Sequence, residues 1–145
     1  MEKIEDEIFN KSLSFSVKDP YATAINIMEA ARRMGKIKEK ENKFLTSGPR
    51  QRCEISFVLL DMIDKNARIK FNVEMKGESN GIRVLEIIIR GKFQAKIPSS
   101  EGFVFQTFAE FYEEKILPKI EGLARSRAER IEKEMLNSIG YLTVE

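Results

Sequence analysis

Residues 69–76 read Ile69-Lys70-Phe71-Asn72-Val73-Glu74-Met75-Lys76, with an apolar side chain at every odd position and a polar one at every even position. Successive side chains of a strand point to opposite faces, so this octet is a strand with one dry face and one wet face. The pattern extends in both directions. Upstream, Cys53, Ile55, Phe57, Leu59 and Ile63 share one parity, and Asp64-Lys65-Asn66-Ala67 joins the two runs as a hairpin connection. Downstream, residues 77–81, ending in Asn80-Gly81, form a second turn. Leu85, Ile87, Ile89, Phe93, Ala95 and Ile97 then share a parity, with Glu86, Arg90, Lys92, Gln94 and Lys96 opposite. Gly91 interrupts this last run and predicts a bulge or a break between two strands. The centre of the chain is therefore an antiparallel meander.

The flanks supply an opening strand and two helices. Over residues 8–17, Phe9, Leu13, Phe15 and Val17 alternate with Asn10, Ser12, Ser14 and Ser16, while Lys11 breaks the apolar side and predicts a rim or a cavity position. Asp19-Pro20 opens a helix, with Asp19 as N-cap and proline in the first helical position. Tyr21, Ala24, Ile25, Met28 and Ala31 form its apolar face, Arg32 and Arg33 lie in the last turn, and Gly35 is placed to end it in the left-handed conformation. Residues 36–45 are densely charged and read as a short edge strand, where lysines discourage further pairing; Ser47-Gly48-Pro49 turns the chain.

From about 104 to 138, Phe105, Phe108, Tyr112, Ile116, Ile120, Leu123, Ala128, Ile131 and Met135 recur at helical spacing, and Ile139 and Gly140 close the run. Glu121–Arg125, Arg125–Glu129 and Glu129–Lys133 are i,i+4 pairs on its wet side. Pro118 falls inside this span and predicts a kink where the bond to the Glu114 carbonyl is lost. An antiparallel sheet with one apolar face needs a cover, and this helix is the element long enough to provide it.

Composition narrows the function classes. The 145 residues include one cysteine and no histidine, which excludes an intramolecular disulfide, a Cys/His zinc site and imidazole catalysis. The longest apolar run, Phe57-Val58-Leu59-Leu60, is far short of the ~20 residues of a membrane helix. The net charge of +2 sets up no global field for nucleic acid. The acidic opening Met1-Glu2-Lys3-Ile4-Glu5-Asp6-Glu7 has no apolar segment of a signal peptide, so a reducing cytoplasm is the expected location, and Cys53 fits it. Abundant Lys, Glu and Ile with little Gln is a mix met in proteins from hot environments. No Gly-rich phosphate loop, no nucleophile motif and no metal-ligand pattern is present, so no cofactor and no catalytic residue is expected.

Taken together, the fold class is α+β: a curved antiparallel sheet of five to six strands gripping a long kinked C-terminal helix, with a small helix after the first strand. Residues 1–140 form one domain and 141–145 a tail. This order of elements resembles the helix-grip fold of the START/SRPBCC superfamily over nearly the whole chain, and Phe111-Tyr112-Glu113-Glu114-Lys115-Ile116-Leu117-Pro118 looks like the proline-interrupted helix of some members. The family often has two small helices where residues 20–35 leave room for one, and usually seven strands. What the resemblance implies is a cavity between sheet and helix that holds a small apolar molecule.

Two sets of residues are candidate sites. Phe15, Phe57, Phe71, Phe93, Phe108 and Tyr112 fall on inward faces and either fill a core or line a cavity, with Lys11 or the Tyr112 hydroxyl as the polar handle for a ligand. Arg32, Arg33, Lys36, Lys38, Lys40, Lys43, Arg50 and Arg52 set eight cations against Glu39 and Glu41, either as a solvated edge or as a patch for an anionic partner. Phe44 alone is near enough to stack on a base, which argues against nucleic acid. Cys53 reads as an inert core thiol. Val58, Leu60, Met62, Ile82, Val84 and Ile88 have the parity of the opposite sheet face and call for local cover by the first helix or the N-terminal segment, or for a homodimer interface. The partners to be weighed are thus a small apolar molecule and a second copy of the chain, with neither a membrane nor nucleic acid expected.

Overall fold

The computed structural model describes residues 2–64, 66–97 and 117–137. Five strands form from the alternating runs: β1 (Glu2–Ser16), β2 (Lys36–Ser47), β3 (Arg50–Asp64), β4 (Ala67–Asn80) and β5 (Ile82–Ile97). Every pairing is antiparallel and the sheet order is β1-β5-β4-β3-β2. The first strand closes one edge by returning beside the last, and the charged β2 is the other edge, as its lysines predict. β5 runs unbroken through Gly91; the bulge lies opposite, in β1, between Glu7 and Phe9. A Cβ on Gly91 would come within 3.1 Å of both Phe71 and Phe9, so the missing side chain gives the Phe71 ring its space.

The register stacks the inward residues in rows across the curved sheet. Phe9, Gly91, Phe71, Leu59 and Ile37 form one row; Lys11, Ile89, Val73 and Phe57 form the next. Phe57, Phe71, Leu59, Ile69, Ile89 and Phe93 are all at most 1% exposed.

Two helices cover this face. α1 (Pro20–Arg32) starts where Asp19 accepts a hydrogen bond from the Ala22 amide, as its capping role predicts. Ala24, Ile27, Met28 and Ala31 of α1 join the same buried cluster as the strand residues. Gly77 makes room for the start of α1: a Cβ there would lie 2.6 Å from Cys53 Sγ and 2.7 Å from Pro20 Cβ. Gly35 does not end the helix in the left-handed region. Its φ is not positive, and it serves close approach instead, because a Cβ would meet the Leu60 carbonyl oxygen at 2.5 Å.

α2 (Leu117–Leu136) lies beside α1 and is about 30 Å long at 1.5 Å per residue. Ala124, Ala128, Ile131, Glu132 and Met135 are its buried stripe. The two alanines are fully buried, so small side chains let the helix backbone settle close to the sheet. Glu121–Arg125 forms as an i,i+4 ion pair at 3.2 Å. The expected helical stretch before 117, including the Glu114 carbonyl at which Pro118 predicts a kink, and the tail at 141–145 lie outside the described residues. Neither α1 nor α2 is long and apolar enough to cross a membrane.

Both helices pack on one face and the N-terminal segment is a strand of the sheet itself, so neither supplies the local cover that is one of the two readings of the opposite face. Its apolar residues are interleaved with charge instead. Val58 lies between Lys38 and Asn72, and Leu60 between Lys36 and Lys70. Val58 is nonetheless only 4% exposed.

Candidate functional site

At the Asp61 end of the sheet an open groove of about 670 Å³ runs between the end of α1, the end of β3 and α2. Met34, Ile63, Leu123 and Ile131 give it apolar walls; Arg33, Asp61, Arg127 and Arg130 give it charge. This volume is in the range of small-molecule sites, roughly 300–1,000 Å³.

The groove is anchored by an ion pair. Asp61 occupies the inward parity of β3 in the row Phe93, Ile69, Asp61, and its side chain is 5% exposed. Arg127 reaches it from α2: Nη2 donates to Oδ1 at 2.8 Å and Nε lies 2.6 Å from Oδ2. The second contact is one of charge and not of hydrogen-bond geometry, so Oδ2 accepts no hydrogen bond. Burial pushes the Asp61 carboxyl above the usual carboxylate value, and Arg127 only partly opposes it.

A second pair has the opposite polarity. Lys11 Nζ of β1 donates to Glu132 Oε1 of α2 at 2.8 Å, and the Glu132 side chain is 9% exposed. Arg127 and Glu132 are five residues apart on α2, so they leave the helix on different sides. One pair holds α2 to β3 and the other holds it to β1, across the width of the sheet.

The residues singled out from the sequence fall as follows. Lys11 is at the rim, half exposed, its ammonium on Glu132. Phe15 is half-buried against the core, while Phe57, Phe71 and Phe93 lie beneath the helices. Phe108 and Tyr112 lie outside the described residues. Of the basic stretch, Arg33 enters the groove. Arg32 pairs with Glu29 and Glu39, Lys43 with Glu41, and Arg52 with Glu78. Lys36, Lys38 and Lys40 lie exposed on the early half of β2, whereas Arg50 and Arg52 sit at the far end of the β2–β3 hairpin. At ~3.3 Å per residue the two groups are roughly 25 Å apart along the strand. Cys53 is buried against Gly77 and Pro20, and burial raises its thiol pKa, which suppresses thiolate chemistry. Among the described residues no group of three or more His, Cys, Asp or Glu is placed to hold a metal.

Asp61, Arg127 and Glu132 were not singled out by the alternation and helical spacing. The signal exists for two of them: Asp61 shares the parity of Leu59 and Ile63, and Glu132 sits within the stripe of Ala128, Ile131 and Met135. A carboxylate on a dry face requires a cation, which neither periodicity names.

No protein-family model matches the chain, and no curated protein does. Among solved structures it is similar to Ara h 8.0201, at 13% identity over 86% of this chain and 99% of that one, with a TM-score of 0.25. It is also similar to truncated norcoclaurine synthase from Thalictrum flavum, at 9% identity over 94% of this chain and 96% of that one, TM-score 0.27. A third is a protein of unknown function, SA2116, from Staphylococcus aureus, at 7% identity over 96% and 98%, TM-score 0.25. Overlaps at these TM-scores say nothing about a ligand or an activity.

Proposed function

We propose that the chain is a helix-grip domain of the START/SRPBCC kind that binds a small apolar molecule between the concave sheet face and α2. The observation that carries this reading is the open groove between α1, β3 and α2, of ligand size and walled by Met34, Ile63, Leu123 and Ile131. The ligand's apolar body lies against these four side chains, and the fully buried Phe57, Phe71 and Phe93 form the core behind them. Arg33 and Arg127 at the groove are the polar groups that orient it. No catalytic step is assigned to these residues.

Native mass spectrometry of freshly purified protein tests the reading. A mass increment released by organic extraction, or one-to-one uptake of an added apolar fluorophore, is the expected result. Protein of bare mass that takes up no apolar probe overturns it.

A further inference from the structure

On the convex face the strand register assembles a basic field that no contiguous stretch of sequence contains. Lys70 stands directly opposite Lys92 across β4 and β5, and Lys36 lies on the same row beyond Leu60. The neighbouring row sets Lys38 and Arg90 on either side of Val58 and Asn72, and Arg68 pairs in register with Met62. Six cations therefore share the half of the face around Leu60 and Met62.

The opposing charge is sparse there. Glu5 takes Lys92 at 3.0 Å, and Glu7 lies beside it on β1. Lys36, Lys38 and Arg90 make no ion pair among the described residues. The other half of the same face is mixed, with Glu86, Lys76, Glu54 and Lys43 alternating in sign along one row. Glu5 offsets the repulsion between Lys70 and Lys92, whereas Lys36, Lys38 and Arg90 have no carboxylate partner among the described residues and are free to meet an external anion.

We propose that this convex half is a docking surface for an anionic lipid bilayer. Two apolar side chains within the field decide between polyanions. Met62 is 54% exposed and Leu60 is half-buried, and both point outward from β3 among the cations. Apolar side chains gain nothing against a phosphate backbone, whereas at a bilayer they enter the acyl boundary while lysines hold the headgroups. No aromatic side chain lies on this part of the face among the described residues, which removes the stacking platform a single-stranded nucleic acid needs. The contact is peripheral and needs no spanning segment, and it does not depend on the ligand reading above.

The test is vesicle co-sedimentation of the full chain with phosphatidylcholine alone and with phosphatidylcholine containing roughly a third phosphatidylserine. Wild type is expected to bind the anionic vesicles only, and to be released by salt. The triple variant Lys36→Gln, Lys70→Gln, Lys92→Gln should lose roughly a hundredfold in partitioning, about fivefold per cation removed. A charge-matched control, Lys43→Gln, Arg52→Gln, Lys76→Gln, removes three cations from the mixed half and should retain binding. Met62→Ser reports on insertion and should weaken binding several-fold without touching charge. Failure of wild type to bind anionic vesicles, equal losses in the two triple variants, or duplex DNA binding without vesicle binding each overturns the proposal.

Discussion

Asp61 of β3 and Arg127 of α2 meet in a two-point contact, 2.8 Å and 2.6 Å, with the carboxylate 5% exposed and the guanidinium 47% exposed. The arginine thus spans from the dry interface to the solvent side of the groove. Without Arg127 the Asp61 charge would be buried and uncompensated.

Removing that partner should therefore be costly. Arg127→Ala is expected to destabilise the fold by about 2–3 kcal/mol, below the range for fully buried pairs because the arginine is half exposed. Asp61→Asn, which removes the charge, should cost less. Urea denaturation of both single variants and the double variant gives the coupling directly, and additive effects would show that the pair does not hold α2.

The pH dependence follows from the sign of the Asp61 shift. Its pKa in the fold is raised above the ordinary 3.8 by burial, so between the two values the folded state binds more protons than the unfolded state. Stability arising from this residue is present below 3.8 and is lost as pH rises through the raised value. Wild type minus Asp61→Asn stability should fall across that window and level off above it. Thermal melts of both proteins from acid to neutral pH check this, and a difference that rises with pH would reverse the assigned cause.

The opposite-polarity pair predicts a different asymmetry. Lys11→Met strands the Glu132 carboxylate at 9% exposure and should cost about 1–3 kcal/mol. Lys11→Met combined with Glu132→Gln should recover much of it, since neither charge is then left unpaired. Chemical denaturation of the single and double variants measures the recovery.

Gly77 predicts a steric result. Gly77→Ala should destabilise by about 1–3 kcal/mol, because its Cβ would press on Cys53 Sγ and Pro20 Cβ. Cys53→Ala in the same protein should relieve the sulfur clash and restore part of the loss, leaving the contact with Pro20. Absence of any recovery would place the whole cost on Pro20 and the start of α1.

Stability and ligand uptake should separate between core and groove. Phe71 is fully buried, so Phe71→Ala should cost about 3–5 kcal/mol. Leu123 is 66% exposed on the groove wall, so Leu123→Ser should change stability by less than about 0.5 kcal/mol while lowering uptake of an apolar probe. Undiminished uptake in Leu123→Ser would move the ligand away from this groove.

Much of the fold was legible because strand parity is local. The alternation at Ile69, Phe71, Val73 and Met75 identifies the dry face, and all four prove buried. Asp19 and the Asn80-Gly81 turn were equally readable, since caps and tight turns act over a few residues: Asp19 caps α1, and Gly81 has φ +77°. Gly35 was misread, and Gly91 marks a bulge that lies in the partner strand, for the complementary reason. Each is a glycine because of an atom from a distant strand, Leu60 in one case and Phe71 in the other.

What the amino-acid order determined alone is therefore which side chains face inward and where the chain turns. Tertiary structure decided who meets whom. Arg127 and Asp61 are 66 positions apart, Lys11 and Glu132 are 121 apart, and neither carboxylate's partner can be inferred from its own neighbourhood. The convex basic field arises the same way: the pairing of β4 with β5 puts Lys70 opposite Lys92, and a slip of one residue would turn one of them inward. Periodicity is set by backbone geometry within each segment, whereas register and helix docking are set by the burial that all segments achieve together.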